Sequence, residues 1–517
     1  MARNPIERPD RARRPGSTGQ SRTGERRRSP TTARVGTEKS IGAITLTVMR
    51  GMVAAADALG KQLENQDSRQ LAAADLDRPG TQLTECARHF QSALRQFVKD
   101  WLQDRRQMAW LVDAASGRTL SVHTDGTDGA ALAADIEVVL AEDQPVNRLR
   151  RRFDREGLGL PVACRSRRVT ADPVLDPARS TAARSWTLFV RVERHVDRRV
   201  RAVRVELLDP TETSTVEVRE VALPLAADFT APVALTLGLE QKPAAIAYGL
   251  RDAGRRGTTV EGFSALTPFG LDCSPLVLLE GAGLSLTTMA QIANEVAGDP
   301  ALRTRYQVWA YRYPVAVPLL FAASALRVDL ARFAARLEAA SGHSQVGRVV
   351  LLARGPGAVI ARSVLAESGT SVWDAVFNVP STKLHVEPTD RALLEMLFVW
   401  NRATQVDRAV ILAEPDNVDG LLAGIGARAA QQLRRQSPEF RGAVERIFGR
   451  ARHQLHAPDA QSVELYPEPV IAAIASATLA ADRAVLALGA TPQSESGDLA
   501  FGGSALKRVL TDLRGAT

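Results

Sequence analysis

Five short, almost purely apolar runs punctuate the second half of the chain. They are Leu276-Val277-Leu278-Leu279, Val308-Trp309-Ala310-Tyr311, Val349-Val350-Leu351-Leu352, Val410-Ile411-Leu412-Ala413 and Val485-Leu486-Ala487-Leu488. Helical apolar spacing fills the intervals at 287–298, 321–340 and 357–367. A strand with no polar face must be covered on both sides. A mostly parallel sheet flanked by helices provides that cover, with right-handed crossovers between strands. The expected fold class is therefore α/β. In such sheets ligands and chemistry gather at the carboxyl ends of the strands.

The first half reads differently. Residues 40–110 are expected to be helical, with Phe90, Leu94, Phe97 and Trp101 forming a core stripe. A helical region is assigned to 40–145, with a loop at Asp125-Gly126-Thr127-Asp128-Gly129. A β-rich module follows at 146–245. Within it, 185–225 alternates apolar and polar residues, as in Trp186, Leu188, Val190 and Val192, and then Val203, Val205 and Leu207. That period predicts an antiparallel unit with one wet face, turned at Asp209-Pro210. Residues 246–517 carry the α/β domain. The irregular stretch 368–407 is expected to form a lid-like insertion.

At 517 residues, two or three domains are expected. A content of 45% hydrophobic and 24% charged residues is enough for a large buried core. No transmembrane segment is expected, because the most apolar long stretch, 40–60, is broken by Arg50 and Asp57. Cys86, Cys164 and Cys273 lie far apart and match neither a zinc module nor a disulfide framework. No cofactor or metal is expected. Residues 1–40 hold eleven basic and four acidic side chains, of 66 and 58 in the chain, so the body is close to neutral. Specific nucleic-acid binding, which needs a clustered basic face, is not expected. Residues 1–39 have too few apolar groups to offset ordering entropy and read as a disordered basic tail suited to acidic partners. The location expected is the cytoplasm. The alternative is export, with Arg26-Arg27-Arg28 ahead of the apolar stretch 41–49 acting as a twin-arginine signal.

The run at 349–352 leads into Ala353-Arg354-Gly355-Pro356-Gly357-Ala358 and then a helix pattern, as in a nucleophile elbow. Three further stretches carry a likeness. They are Leu223-Pro224-Leu225-Ala226-Ala227-Asp228-Phe229-Thr230-Ala231-Pro232, the run from Asp299 through Trp309 to Pro314, and Trp373-Asp374-Ala375-Val376-Phe377. Together they resemble a bacterial group of α/β-hydrolases, lipase- or esterase-like, with an N-terminal β-rich extension. The resemblance covers roughly 150–420. It implies a serine nucleophile in Gly-His-Ser-Met-Gly-Gly, an HG oxyanion turn and a Thr-Pro-His-Arg-Gly-Ser stretch. This chain has Gly355 in the nucleophile's place, with Arg354, Pro356 and Gly357 around it. It has Glu280-Gly281 at the oxyanion turn, and Glu414-Pro415-Asp416-Asn417-Val418-Asp419 in the third stretch. Gly355 has nothing to attack with, and Pro356 lacks the N–H expected to donate to an oxyanion.

The general base is missing as well. His453 and His456 are the only histidines after 385, and both precede the last apolar run, whereas the family's base follows it. The turn at Asp498 faintly matches the family's acid-bearing turn. Other candidates read as structural. Ser363 and Ser368 lie near the elbow and Ser285 at a helix start; His343-Ser344 is an adjacency in a loop. His453 and His456 lack an acidic ligand pattern, and Gly424 with Gly426 falls in an Ala-rich helical stretch. Glu280 and Asp416 both close strands and could line an acidic pocket. The leading expectation is a non-catalytic α/β-hydrolase-like protein that binds or scaffolds a small molecule or protein. The first alternative is an active esterase with relocated catalytic residues; the weakest is an acid-dependent enzyme using Glu280 and Asp416. For the tail, a chain starting at Ser40 is expected to melt within about two degrees of the full chain in a thermal scan.

Overall fold

The computed structural model describes residues 48, 51–64, 70–103, 112–113, 118–124, 136–146, 149–166, 182–194, 201–240, 262–280, 286–312, 319–344, 348–354, 356–412, 454, 485–488 and 503–515. The basic tail 1–39 and the loop 125–129 lie outside the described residues. Two six-stranded sheets organise the chain.

The first sheet contains β1 (Val112–Asp113), β2 (Arg118–Thr124), β3 (Ile136–Leu140), β4 (Leu160–Ser166), β5 (Arg184–Arg194) and β6 (Arg201–Leu208), in the order β1-β2-β6-β5-β4-β3. Helix α1 (Gln82–Gln103) covers one face, starting where the Thr81 hydroxyl accepts the Thr84 N–H at 3.1 Å. Its stripe of Phe90, Leu94, Phe97 and Val98 is buried with Val162, Leu188, Val190 and Val205. The side chain of Trp101 lies outside the described residues.

Three expectations need correction here. Strands, not helix, occupy 112–113, 118–124 and 136–140. Within 185–225 the strands pair antiparallel as expected, but they are not a separate unit: β5 and β6 belong to a larger sheet in which β2 runs parallel to β6. Nor is the first half of β5 wet on one face, although the Arg191 side chain beyond it is part exposed. Ser185, Thr187 and Phe189 are buried as well, and the two hydroxyls donate to the Asp228 and Ala226 carbonyls at 2.7 and 2.5 Å. The turn at Asp209 is as expected, with its carboxylate accepting the Thr211 N–H at 2.8 Å. The hairpin Thr215–Val218 with Val221–Pro224 forms its own two-stranded ribbon.

Helix α2 (Thr230–Glu240) joins the two sheets and is apolar nearly all round, as a helix wedged between layers must be. Ala231 and Leu235 face the first sheet, whereas Val233 and Leu237 enter the core of the second. The buried Asp228 fixes its start. One carboxylate oxygen accepts the Thr230 and Ala231 N–H groups, and the other accepts Arg152 Nε at 2.6 Å.

The second sheet contains β7 (Phe263–Ala265), β8 (Ser274–Glu280), β9 (Tyr306–Arg312), β10 (Val349–Arg354), β11 (Val406–Leu412) and β12 (Val485–Leu488), in the order β7-β9-β8-β10-β11-β12. Only the edge strand β7 is antiparallel to its neighbour. All five apolar runs are strands, and helices fill the expected intervals: α3 (Leu286–Gly298), α4 (Leu319–Ser341) and α5 (Pro356–Leu365). Alternate strand residues divide between two cores. Val277, Leu279, Trp309 and Leu351 pack with α4 and α5, while Leu276, Leu278, Val308 and Leu352 pack with α3. Each such buried side chain contributes about 1.5–3 kcal/mol.

The stretch 368–407 is not irregular. It holds the short helix Ser371–Asp374, then α6 (Pro388–Phe398), and the aromatic cluster of Trp373, Phe377 and Phe398. Proline at 388, whose fixed φ suits a first helical turn, starts α6. This cluster packs against Leu320 and Val359 in the first turns of α4 and α5.

Helix α7 (Gly503–Gly515) docks on the α3 face through Val509, Leu510 and Leu513. Arg514 Nε donates to Asp299 at 2.9 Å, and Tyr306 Oη donates to the Leu513 carbonyl at 3.3 Å. Desolvation alone would raise the Asp299 pKa, but Arg514 and the Leu302 and Ala301 N–H groups outweigh it, so the net shift is downward. A carboxyl depressed in the folded state supports docking above its ordinary pKa and loses that support as pH falls below it. Asp299→Asn is therefore expected to speed amide hydrogen exchange across 503–515 at neutral pH. The native chain should show the same loosening of α7 only below about pH 4.

Candidate functional site

The strand bodies leave little room for chemistry. Tyr306 to Tyr311 and Val349 to Ala353 are buried in unbroken series. Polar groups enter at the carboxyl ends, where Glu280, Arg312 and Arg354 close β8, β9 and β10. Register sets them side by side. Glu280 is opposite Arg312, and the β8–β10 pairing Leu278 to Leu352, continued by two residues, brings Glu280 level with Arg354. Arg312 and Arg354 follow Val308, Ala310, Val350 and Leu352 in alternation, so both lie on the α3 face. Both are half-buried. The side chain of Glu280 lies outside the described residues.

Topology singles out the same place. After β8 the chain turns onto one face through α3 and adds β9 on one side. After β10 it turns onto the other face through α5 and adds β11 on the opposite side. Adjacent strands whose connections diverge open a crevice between their carboxyl ends, where ligands of open α/β sheets bind. Here the switch point falls between the ends of β8 and β10, at Glu280 and Arg354. Neither α3 nor α5 has an acidic residue in its first turn to neutralise its positive end.

A strand and a helix follow each other closely at the expected elbow position. β10 ends at Arg354 and α5 starts at Pro356, so a single residue separates strand from helix. That residue, Gly355, lies outside the described residues, as do Gly281, Ser285, Glu414, Pro415, Asp416, Asn417, Gly424, Gly426, His453, His456 and Asp498. Gly357 is buried in the first turn of α5.

Other candidates are spent on structure. Ser363 is fully buried, and its hydroxyl donates to the Ile360 carbonyl at 2.8 Å, a local bond inside α5. Ser368 Oγ accepts the Trp400 N–H at 2.8 Å and ties the ends of the insertion together. His343 and Ser344 are exposed past the end of α4, and His343 Nδ1 lies 2.8 Å from the Ser341 carbonyl. No cluster of metal-ligating side chains occurs among the described residues.

Two other features draw chemistry-like attention and have structural explanations. Arg327 is half-buried with no carboxylate paired to it among the described residues, and desolvation lowers its pKa to about 10. It lies 4.7 Å from the Trp400 ring and 3.5 Å from the Ser363 carbonyl. That carbonyl is in the last turn of α5, whose negative end compensates the cation. The position is remote from the carboxyl edge.

The second is a cavity of about 480 Å³ between α1 and the segments 152–161 and 226–228. Three of its four arginines are committed: Arg152 to Asp228, Arg95 to Glu142, and Arg155 to the Leu225 and Thr213 carbonyls, while the fourth, Arg88, is exposed.

Sequence reading picked out Glu280 and Arg354 but not Arg312. Its place two residues beyond a buried run was the available signal; only the register shows that it borders Glu280. No family model, curated protein or solved structure matches the chain.

Proposed function

We propose that this chain is a catalytically degenerate α/β-hydrolase-like protein whose carboxyl-edge crevice binds a ligand or partner without cleaving it. The observation that carries the reading is the one-residue link from β10 to α5, with glycine at the elbow and proline opening the helix. An elbow of that composition keeps the turn and lacks the nucleophile. It also lacks the N–H donor at the following residue. An antiparallel edge strand followed by five parallel strands is compatible with the hydrolase resemblance.

Residues 489–517, after the last apolar run, hold no histidine, which agrees with this reading. Fold alone does not supply activity, so loss of these groups weighs more than the likeness. No helix among the described residues is long and apolar enough to cross a membrane. The cytoplasm remains the proposed location, with twin-arginine export the alternative. The 368–407 insertion, packed on the first turns of α4 and α5, is proposed to border the crevice.

The test is turnover of short-chain p-nitrophenyl esters by the purified full chain. No turnover above a heat-denatured control is expected, and Gly355→Ser alone should not create it, because no base is restored. Turnover abolished by replacing one serine would overturn the reading.

A further inference from the structure

We infer that the cavity between α1 and the segments 152–161 and 226–228 binds a free basic amino acid, its carboxylate toward α1 and its ammonium groups toward the opposite wall. The inference does not rest on the reading of the carboxyl edge.

Three observations carry it. First, the two walls are tied together, so the cavity is preformed. Its volume of about 480 Å³ lies in the range of small-molecule sites. The Gln91 amide of α1 donates to the Gly157 and Gly159 carbonyls at 3.0 and 3.1 Å and accepts the Gly159 N–H at 3.1 Å. A site held in this way leaves little ordering for a ligand to impose.

Second, the committed arginines explain the walls but not the charges left over at the rim. Arg95 with Glu142 and Arg152 with Asp228 cancel, and Arg155 is turned to the Leu225, Pro210 and Thr213 carbonyls. What remains is Arg88 on α1, Asp154 and Glu156 on the facing segment, and Asp77 ahead of α1. All four are exposed, and none forms an ion pair with another described residue. One cation and three carboxylates therefore border the same open space from different walls. A ligand with one carboxylate and two ammonium groups matches that balance. A diamine leaves Arg88 unanswered, and a neutral amino acid answers fewer of the carboxylates.

Third, the floor is apolar. Leu140, Leu158, Leu160 and Ala226 line the cavity and are buried. The aliphatic stem of a lysine-like ligand can lie on such a surface while its charged end reaches the rim.

The full chain is titrated calorimetrically at low salt with L-lysine. Cadaverine, which lacks the carboxylate, and norleucine, which lacks the side-chain ammonium, are titrated beside it. Lysine should bind more tightly than either. Arg88→Gln should weaken lysine severalfold and leave cadaverine unchanged, whereas Glu156→Gln should weaken both. Added salt should weaken lysine, because the contacts lie at an exposed rim. Glu338→Gln, an exposed charge on α4, should change nothing. Circular dichroism checks that each variant is folded.

The inference is overturned if lysine does not bind at millimolar concentration, or if cadaverine or norleucine binds as tightly. It is equally overturned if Arg88→Gln weakens cadaverine as much as lysine, or if Glu338→Gln weakens lysine as much as Glu156→Gln.

Discussion

A parallel sheet covered on both faces has no room for polar chemistry along its strands, and this constraint arranges the rest of the molecule. β9 is buried from Tyr306 to Tyr311, and β10 from Val349 to Ala353. A charged group in either body would face desolvation without a partner. Charge therefore appears where the strands leave the core, at Glu280, Arg312 and Arg354. The crossover pattern then decides which strand ends open to a ligand. Because α3 and α5 depart to opposite faces, the topological switch point falls between β8 and β10.

The N-terminal sheet is joined to this core by shared apolar and polar contacts. α2 gives one side to each sheet. Asp228 holds the start of α2 and pairs with Arg152, so a buried charge has both a cation and backbone donors. Nearby, Asn294 of α3 donates to the Arg151 carbonyl at 2.8 Å. Gly298, at the end of α3, leaves space for Phe153; a Cβ there would overlap the ring. Removing Arg152 would leave the buried Asp228 carboxylate without its cation, held only by the Thr230 and Ala231 N–H groups.

Much of the second sheet was legible because its signal is local. A four-residue apolar run between helical patterns has few other uses, and all five runs are strands. Parts of the first half were less legible. Arg118–Thr124 alternates through Leu120 and Val122, but it is short and lies beside a Gly- and Asp-rich stretch. α2 contains Thr, Pro and Val and no polar face, so neither helical period nor propensity marks it. The buried second face of β5 depends on the chain at 226–228 folding over it, a contact some forty residues away in sequence. The site divides in the same way. The elbow and its glycine are written locally, whereas the neighbourhood of Glu280, Arg312 and Arg354 arises from pairing between segments more than thirty residues apart.

The proposal at stake is that the β10–α5 junction, with glycine and proline in place of a nucleophile and its donor, serves binding and not hydrolysis. The most direct measurement is labelling of the purified full chain with a fluorophosphonate probe, read by intact-mass spectrometry beside an active serine esterase as the positive control. The account predicts no adduct on this chain under conditions that label the control completely. A single stoichiometric adduct on one serine, prevented by prior denaturation, would contradict it.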